Sequence, residues 1–521
     1  MNTANFLSLP AAMFPEQEIL VFGNSRATYG ETLSRVRRLA SALAQRGVGP
    51  GARVAAIGTN SHRYVELYYA AATLGATFVP LNYRAKIHEL EHMIGQADPR
   101  VLCFEERYRS LVDEVLPNVR LGPAGLSRVT LDGDGSRDES IEQLIGGAVS
   151  EAEEVDVEET DTSILMYTSG TTSLPKGVLL TFGDFTAYVV GTVEMADGEP
   201  RGAALNCVPL YHIAGATNLM TSIWTGRKLV LMTQFEPEEW LETVQREGIT
   251  HAFVVPTMLK KILDHPRFAT YDLSSLTNLS YGGAPMPLPV IRRALQSFPA
   301  TCGFVNAFGQ TETTSTLTVL GPDDHRLTGD AARDEIVLRR LTSIGRPLPD
   351  VEIKIADEAG ATLPPNEIGE ILVRTPRVMK GYAGDVEGGA RREPDGFLHT
   401  RDLGYIDDEG YVFLVGRADD MIIRGGENIA PAEVEGILLS HSAVDEVAVV
   451  GIPSLEWGET VAAAVVLRPG MSATPSELTE FCRSRLASFK KPEVIEILVE
   501  LPRNPLGKIL RKELRKQLEP R

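Results

Sequence analysis

The chain has 521 residues, with 51 lysines and arginines against 70 aspartates and glutamates, so its formal net charge is −19. Such a length predicts more than one domain, 43% hydrophobic residues exclude a disordered chain, and the negative charge argues against nucleic acid or anionic lipid as the main partner. Four well-separated cysteines, no apolar run of about 20 residues and no signal-like N-terminus predict a cytoplasmic protein without disulfides, a zinc site or a transmembrane segment.

Helical and strand patterns alternate through the first part of the chain. Apolar residues at helical spacing predict helices, and short apolar runs predict strands. This alternation predicts an α/β fold with parallel sheets. The polar and acidic stretch 134–159 predicts a surface excursion. The helices are predicted over 29–45 and 63–73, and the strands over 53–57, 78–79, 229–232, 251–255 and 279–281.

The pattern changes from about Val351 onward. Residues 351–360 and 369–376 alternate between apolar and polar at a period of two, which predicts a small antiparallel sheet. Residues 407–410 predict a hairpin turn. A domain boundary is placed at 417–420, which gives an N-terminal domain, 1–418, and a C-terminal domain, 419–521. The last segment is predicted to contain a helix from Pro431, strands over 446–450 and 460–467, and a helix over 475–486.

Residues 164–177 read ILMYTSGTTSLPKG and are the most informative stretch of the chain. A buried strand leads into a loop with five Ser or Thr hydroxyls, two glycines and one lysine. Backbone N–H groups, hydroxyls and a lysine charge suit the oxygens of a triphosphate. The loop is not a Walker loop, because Lys176 precedes Gly177. A Ser/Thr-rich surface turn is the alternative interpretation.

This stretch resembles the signature of the adenylate-forming, AMP-binding superfamily, which includes acyl-CoA synthetases, peptide-synthetase adenylation domains and luciferases. Ser173 stands where glycine is usual in that signature. The resemblance implies a large N-terminal domain of two α/β sheets and a small β-barrel subdomain, followed by a mobile α+β C-terminal domain. Further motifs that match in the family's order lie at 306–313, 400–402, 416–420, 425–429 and 504–508.

The resemblance also implies that these motifs bind ATP and Mg²⁺. Thr168 and Glu312 would be the metal ligands, and a hard cation with oxygen ligands is what nucleotide chemistry requires. Phe308 would stack on adenine, and Asp402 would hold the ribose, although Arg401 replaces a glycine beside it. The implied ATP- or AMP-binding residues are Thr168, Ser169, Gly170, Thr171, Thr172, Lys176, Gly283, Ala284, Asn306, Ala307, Phe308, Gly309, Thr311, Asp402, Arg417 and Lys508.

Adenylation joins two anions, because a carboxylate attacks the α-phosphate of ATP and pyrophosphate leaves. The site must therefore neutralise charge, which Lys176 and the magnesium ion can do. Lys508 resembles the family's C-terminal lysine, which bridges the carboxylate and the α-phosphate; a solvated tail lysine is the alternative. The implied catalytic residues are Lys508, Thr168, Lys176, Glu312 and His212.

The second half-reaction passes the acyl group to a thiol, and family members accomplish it by rotating the C-terminal domain. Asp419 stands at the family's hinge position, and a few residues that absorb a large change of φ and ψ are the expected hinge. Five residues match positions of the family's coenzyme A site. For Trp457 and Phe489 the alternative interpretation is ordinary packing, and for Arg84 it is an exposed ion pair. The implied coenzyme A contacts are Arg84, Gly426, Trp457, Phe489 and Lys491.

The acyl pocket is expected among small and apolar residues, which predicts an uncharged acyl body. Residues 208–221 contain no aspartate or glutamate, and this argues against an amino acid as substrate. A fatty chain and an aryl or alicyclic ring both remain open. The expected pocket residues are His212, Ile213, Ala214, Gly215, Phe253, Tyr281, Gly282, Gly283 and Gly309.

Three functions follow from these patterns. The first is a carboxylic acid–CoA ligase that uses ATP, Mg²⁺ and coenzyme A. The second is a free-standing adenylation enzyme that loads the pantetheine of a carrier protein. The third is a nucleotide-binding regulatory protein without turnover, and the presence of Glu312, Asp402, Arg417 and Lys508 argues against it. The expected partners are a small carboxylic acid, ATP and coenzyme A; the oligomeric state is not readable, and a homodimer is compatible with the sequence.

Overall fold

The computed structural model describes residues 1–168, 174–384, 392–503 and 508–519. Residues 169–173, from the predicted phosphate loop, and residues 504–507, which precede Lys508, lie outside the described residues. The chain groups into two compact units, and each is described by itself. The first unit comprises Met1–Leu341, Pro347–Glu352 and Arg374–Arg392, and the second comprises Thr342–Arg346, Ile353–Val373 and Glu393–Arg521.

Several helices begin at clear capping signals. Helix α2 is an example: the Thr28 hydroxyl accepts from the backbone N–H of Glu31, and the Glu31 carboxylate accepts from the N–H of Thr28. In chain order the α-helices are α1 Asn5–Met13, α2 Tyr29–Ala44, α3 His62–Thr73, α4 Ile87–Ala97, α5 Arg109–Val115, α6 Ile141–Gly147, α7 Phe182–Thr192, α8 Ile213–Trp224, α9 Pro237–Glu247, α10 Pro256–Asp264, α11 Leu288–Ser297, α12 Ala331–Arg340, α13 Pro431–Leu439, α14 Pro475–Arg483 and α15 Arg511–Leu518.

Strands occupy runs between these helices, and β4, β5 and β9 are buried at every residue. In chain order they are β1 Glu18–Phe22, β2 Ser25–Thr28, β3 Arg53–Ile57, β4 Thr77–Leu81, β5 Val101–Phe104, β6 Ser127–Thr130, β7 Thr162–Thr168, β8 Lys176–Thr181, β9 Ala203–Asn206, β10 Lys228–Leu231, β11 His251–Val254, β12 Asn278–Gly282, β13 Gly303–Gln310, β14 Ser315–Leu320, β15 Arg346–Pro347, β16 Glu352–Ala356, β17 Gly369–Arg374, β18 Gly381–Tyr382, β19 Leu398–Ile406, β20 Val412–Arg417, β21 Ile422–Arg424, β22 Glu427–Ile429, β23 Val444–Ser454, β24 Gly458–Leu467 and β25 Val494–Leu498.

The first unit contains two sheets that are parallel at their centres, as the alternating pattern predicts. One sheet has the strand order β14-β13-β12-β11-β9-β10-β1-β2, and the other has the order β18-β8-β7-β4-β3-β5-β6. Antiparallel pairs occur toward the edges, namely β1 with β2, β13 with β14 and β7 with β8. Ligands of such sheets bind beyond the carboxyl ends of the parallel strands, so these ends are where a site is expected.

The acidic stretch 134–159 is not only a surface excursion, which corrects the sequence-based expectation. It contains helix α6, whose Ile141, Leu144 and Ile145 are buried in the same core as Leu39 of helix α2. The three apolar side chains lie three and four residues apart, so one face of a short helix is apolar although the surrounding composition is acidic.

The second unit contains an antiparallel sheet with the order β16-β17-β19-β20. The period-two pattern and the hairpin turn at 407–410 are confirmed by this sheet. The β-barrel subdomain is not: within the described residues these four strands form an open sheet. A second sheet, with the order β22-β21-β24-β23 and β25 beside β24, holds the core of the C-terminal residues.

Two further expectations concern the whole chain. All four cysteines are free and buried, as the sequence predicts. Among the helices of the described ranges, none combines the length and the apolar character needed to cross a membrane. The predicted division of the chain at 418/419 stays a prediction.

Candidate active site

Strands β7 and β8 flank the predicted phosphate loop. Thr168, at the end of β7, lies opposite Lys176 at the start of β8, and its hydroxyl donates to the carbonyl of Lys176 over 3.5 Å. The Nε2 of His92 donates to the carbonyl of Pro175 over 3.1 Å, which fixes the chain just before β8. The predicted phosphate contacts of residues 169–172 lie outside the described part of the chain and stay predictions.

Tyr382 connects two predicted site residues. The ammonium group of Lys176 lies over the Tyr382 ring, 5.2 Å from its centroid, and the Tyr382 hydroxyl donates to Oε1 of Glu312 over 2.9 Å. The structure therefore brings the predicted phosphate lysine to the ring face of one tyrosine and the predicted magnesium ligand to its hydroxyl. Sequence reasoning missed Tyr382, because the two-residue strand β18 has no periodicity that could mark it.

Glu312 lies in a 3₁₀ turn, Thr311–Thr313, directly after strand β13. Its carbonyl accepts from the backbone N–H of Met379 over 2.9 Å. Across the described ranges, no three or more His, Cys, Asp and Glu side chains are arranged to hold a metal ion. Magnesium at nucleotide sites is held by one or two carboxylates together with phosphate oxygens and water, so a single carboxylate fits a cation that binds with ATP.

The predicted adenine-binding residues lie at the carboxyl ends of the adjacent parallel strands β12 and β13. Tyr281 lies opposite Asn306, and Gly282 lies opposite Ala307. Phe308 is half-buried, so part of its ring surface is available for stacking. The structure therefore brings one predicted group together: Gly283, Ala284, Asn306, Ala307, Phe308, Gly309 and Thr311.

His212 caps the N-terminus of helix α8, which begins with the predicted pocket residues Ile213, Ala214 and Gly215. Burial lowers the pKa of His212 to about 3, so the imidazole is neutral at physiological pH. Its Nε2 is buried and has no hydrogen-bond partner among the described residues. The His212 ring is 4.3 Å from the Tyr211 ring, centroid to centroid. A buried neutral imidazole of this kind can position a ligand through one hydrogen bond.

Two predicted pocket residues of the sheet face opposite sides. Phe253 lies opposite Ser280, so it shares a face with Gly282, and a Cβ on Gly282 would be 3.6 Å from the Phe253 ring. Side chains alternate along a strand, so Tyr281 points to the other face. There it is buried, and its hydroxyl lies 2.8 Å from Nε2 of His325. The structure therefore brings Phe253 and Gly282 together and places the Tyr281 side chain elsewhere.

Two of the predicted pocket glycines are required by the backbone that lies next to them. A Cβ at Gly309 would lie 1.7 Å from the carbonyl oxygen of Ser315, and a Cβ at Gly282 would lie 2.2 Å from that of Ala307. No side chain fits at such distances, so the close approach of neighbouring backbone requires glycine at both positions. These glycines therefore do not decide between a fatty chain and an aryl ring.

The second unit groups the predicted ribose and catalytic residues. Asp402 and Arg417 are paired across β19 and β20, with Arg417 Nε 3.6 Å from Asp402 Oδ1. Lys508 is exposed over part of its surface, yet desolvation of its ammonium group lowers its pKa. The charge of Arg417 lowers that pKa further, and Asp420 and Asp402 oppose the shift. Asp402, Arg417 and Lys508 thus belong to one electrostatic environment within the second unit.

Arg401 adopts a backbone conformation that favours glycine. Its φ is 64°, in the left-handed region, and its N–H donates to Oε1 of Glu370 over 2.9 Å. Its guanidinium forms an ion pair with Asp419, the residue at the predicted hinge. The turn before Asp402 therefore keeps a glycine-like backbone, at a steric cost of about 1–2 kcal/mol for a residue with a Cβ.

This conformation predicts an unusual order of stability. Arg401→Ala keeps the steric cost and loses the ion pair, whereas Arg401→Gly loses the ion pair and the steric cost together. We expect R401G to melt above R401A, with a difference of about 1 kcal/mol in the free energy of unfolding. At Arg374, in strand β17, the same two substitutions should give the opposite order, and thermal denaturation of all four variants tests the prediction. R401A melting at or above R401G would contradict it.

Arg424 connects two predicted coenzyme A contacts of the second unit. It donates to the carbonyl of Phe489 over 2.8 Å, and its guanidinium lies 5.5 Å from the centroid of the Trp457 ring. The N–H of Gly425 donates to the carbonyl of Trp457 over 2.8 Å. Trp457 is nevertheless 43% exposed, so a fixed indole offers its surface to a ligand.

Arg84 is the predicted coenzyme A contact of the first unit. Its guanidinium lies 5.3 Å from the Tyr83 ring centroid and donates to Oε1 of Gln234 over 3.1 Å. The side chain is otherwise exposed. Gly426 and Lys491 belong to the second unit, so the coenzyme A site as a set stays a prediction.

Two family models match the chain. The model described as AMP-binding enzyme matches residues 8–383, and the model described as AMP-binding enzyme C-terminal domain matches residues 433–508. The two matched ranges contain Lys176, Glu312 and Lys508.

Relatives are similar over almost the whole chain. A feruloyl-CoA synthase of an Amycolatopsis species is 36% identical over 509 residues, which cover 97% of each chain. The fatty acid–[acyl-carrier-protein] ligase ScoC of Streptomyces coeruleorubidus is 34% identical over 499 residues, which cover 94% of this chain and 91% of that one. Among solved structures, the amide bond synthetase McbA from Marinactinospora thermotolerans has a TM-score of 0.87 and 30% identity, covering 99% of this chain and 100% of that one.

Proposed function

The chain belongs to the AMP-binding enzyme family, and on this premise we propose that it is an ATP-dependent carboxylic acid–CoA ligase. It forms an acyl-AMP and pyrophosphate, and then an acyl-CoA and AMP. The observation that carries the proposal is the arrangement of Lys176 and Glu312 around Tyr382. One cation for phosphate oxygens and one carboxylate for a hard metal are held at the ends of parallel strands, where nucleotides bind.

The first half-reaction needs charge neutralisation, because a carboxylate must approach a triphosphate. Lys176 supplies a positive charge to the leaving β- and γ-phosphates. Glu312 and Thr168 would hold a magnesium ion that binds with the nucleotide, and this ion would supply further neutralisation. Tyr382 keeps the carboxylate of Glu312 oriented through its hydrogen bond and contacts Lys176 through its ring, so both charges have fixed positions before ATP binds.

Lys508 supplies the cation for the incoming carboxylate and the α-phosphate. Asp402, which is only 6% exposed, and Arg417 lie in its electrostatic environment and are suited to the ribose hydroxyls. His212 is neutral because burial lowers its pKa to about 3, so it adds no charge to the acyl pocket. We infer that the acid has an uncharged body, either an aryl or alicyclic ring or a fatty chain.

A carrier protein is the alternative acceptor of the acyl group. The likeness to ScoC, which is named for an acyl-carrier-protein ligase, supports this alternative. Coenzyme A is favoured because the relative with 36% identity is named a feruloyl-CoA synthase, and because the exposed Trp457 is held in place by Gly425 and Arg424. Such a fixed indole suits the stacking of an adenine ring.

The test is pyrophosphate release with ATP and Mg²⁺ over a panel of acids, each with and without coenzyme A. The panel includes short and long fatty acids, benzoates, cinnamates and alicyclic acids. Multiple turnover that requires coenzyme A, with one class of acid, is the expected result and identifies the substrate class. Release limited to one turnover with and without coenzyme A would favour the carrier protein, and no release with any acid would contradict the proposal.

A further inference from the structure

An ion pair with one fully buried partner lies beside the turn that carries Glu312. Arg377 is fully buried, and its Nε and Nη2 lie 2.6 Å and 3.1 Å from the two carboxylate oxygens of Asp350. Partial burial by itself raises the pKa of Asp350, but the hydrogen bonds and charge of Arg377 outweigh it, so the pKa is lowered. The guanidinium of Arg377 is thus buried with its charge paired, and the Asp350 carboxylate that pairs with it is 35% exposed.

The turn after Glu312 has an unusual backbone. Thr314 and Ser315 have φ values of 49° and 80°. Residues other than glycine rarely adopt this region, and a β-branched threonine is especially disfavoured there. Such a conformation persists only where its surroundings impose it. The two residues connect the 3₁₀ turn of Glu312 to strand β14, so their conformation sets the position of that carboxylate.

The chain segment that begins at Arg377 supplies these surroundings. Arg377 Nη1 donates to the carbonyl of Thr313 over 3.2 Å, and the Thr314 hydroxyl donates to the carbonyl of Arg377 over 3.0 Å. Two residues later, the N–H of Met379 donates to the carbonyl of Glu312 over 2.9 Å. Backbone and side chain of Arg377 thus contact the two residues that follow Glu312, and Asp350 fixes the guanidinium from the other side.

The same segment also reaches the carboxylate itself, because the Tyr382 hydroxyl donates to Oε1 of Glu312. Arg377 has a second anchor as well: its guanidinium lies 5.2 Å from the centroid of the Tyr188 ring. The Tyr188 hydroxyl in turn lies 3.3 Å from Oγ1 of Thr316 in strand β14. The strained turn is therefore held on both sides by contacts that converge on Arg377.

We propose that Arg377, fixed by Asp350, is a positioning residue that holds Glu312 where a divalent cation requires it. The inference rests on the proposed function, in which Glu312 binds the magnesium ion of ATP. Arg377 is fully buried, so it acts through the turn and not by touching a substrate. Without it the turn relaxes toward an ordinary backbone, and the carboxylate of Glu312 loses its orientation.

Arg377→Lys is the first test. Lysine keeps the positive charge but lacks the forked guanidinium that contacts Asp350 and the Thr313 carbonyl together. We expect the magnesium concentration for half-maximal pyrophosphate release to rise about tenfold, with kcat at saturating magnesium retained. The matched control is Arg374→Lys, since Arg374 pairs with Glu352 at the surface of the same unit. Its magnesium dependence should equal that of the wild type.

A double variant keeps the test decisive should R377K fold poorly. Arg377→Met combined with Asp350→Leu removes both charges, so no unpaired charge is left at the buried position of Arg377. We expect this variant to fold and to show the same weakened magnesium dependence. A folded R377K or double variant with the magnesium dependence of the wild type would overturn the positioning role.

Failure of the proposed function is recognised separately, since the wild type would then release no pyrophosphate with any acid. Calorimetric titration with ATP, with and without Mg²⁺, decides the positioning role in that case because it needs no turnover. A smaller magnesium-dependent gain in ATP affinity for R377K than for the wild type would support the role. An equal gain, or none in either protein, would overturn it.

Discussion

Lys508→Ala is expected to lower acid-dependent pyrophosphate release by about 10²–10³-fold. Two anions meet in that step, and alanine removes one of the positive charges that oppose their repulsion, since Lys508 shares an environment with Asp402 and Arg417. Formation of acyl-CoA from supplied acyl-AMP should survive, because the acyl–phosphate bond already exists. Both half-reactions are measured on one preparation, by pyrophosphate release and by thioester chromatography.

Lys512→Ala is the matched control for this variant. Lys512 is an exposed lysine of helix α15, four residues further along the chain. Its replacement should leave both half-reactions at the wild-type rate. Unchanged pyrophosphate release in K508A, or an equal loss in both half-reactions, would show that Lys508 is not the cation of the adenylation step.

The pH dependence of adenylation follows from the same lysine. Desolvation, together with the charge of Arg417, lowers the pKa of Lys508 below its ordinary value of 10.5. Adenylation needs the charged ammonium form of Lys508. Its rate is therefore full below the lowered pKa and falls as the pH rises through that pKa. Adenylation should therefore decline at a lower pH than an ordinary lysine allows, and the decline should be absent from the residual activity of K508A.

The second large effect is expected for Glu312→Gln. Glutamine has the shape of glutamate and can still accept from the Tyr382 hydroxyl, but it lacks the negative charge that a hard cation prefers. Pyrophosphate release should fall by about a hundredfold at limiting magnesium and recover in part at high magnesium. The measurement is the rate as a function of magnesium concentration at fixed ATP.

Two comparisons sharpen this prediction. Tyr382→Phe keeps the ring under Lys176 and removes only the hydroxyl, so a smaller loss, about tenfold, is expected. Asp323→Asn removes an exposed carboxylate of the same unit and should change nothing. An E312Q enzyme with the magnesium dependence of the wild type would exclude Glu312 as a ligand.

Periodic patterns in the sequence predict much of the fold. Strand β3 has the predicted bounds, 53–57, and helix α2 ends one residue before the predicted end of 29–45. Both elements bury a regular set of apolar side chains, and this burial is what periodicity records. Helix α6 was missed because its three buried residues are surrounded by acidic ones. The barrel, which the family resemblance implied, was wrong for the described residues, whose four strands pair into an open sheet.

The sequence also predicts the site residues better than the residues that support them. The family prediction is confirmed, and Lys176, Glu312 and Lys508 stand in motifs that can be recognised from the sequence. Tyr382 and Arg377 stand in no motif that marks a site. Their partners are distant along the chain: Tyr382 contacts residues 312 and 176, and Arg377 contacts residues 313 and 350.

The sequence by itself determined the family, the alternation of helices and strands, and the residues suited to triphosphate and carboxylate chemistry. Only the tertiary structure decided which of these residues meet, that Tyr281 faces away from Phe253, and that Gly282 and Gly309 are required by nearby backbone. The physical reason is that chemical capacity belongs to a single side chain and its neighbours in the chain. Orientation, desolvation and strain depend on contacts between segments far apart in sequence, as at His212 and Thr314.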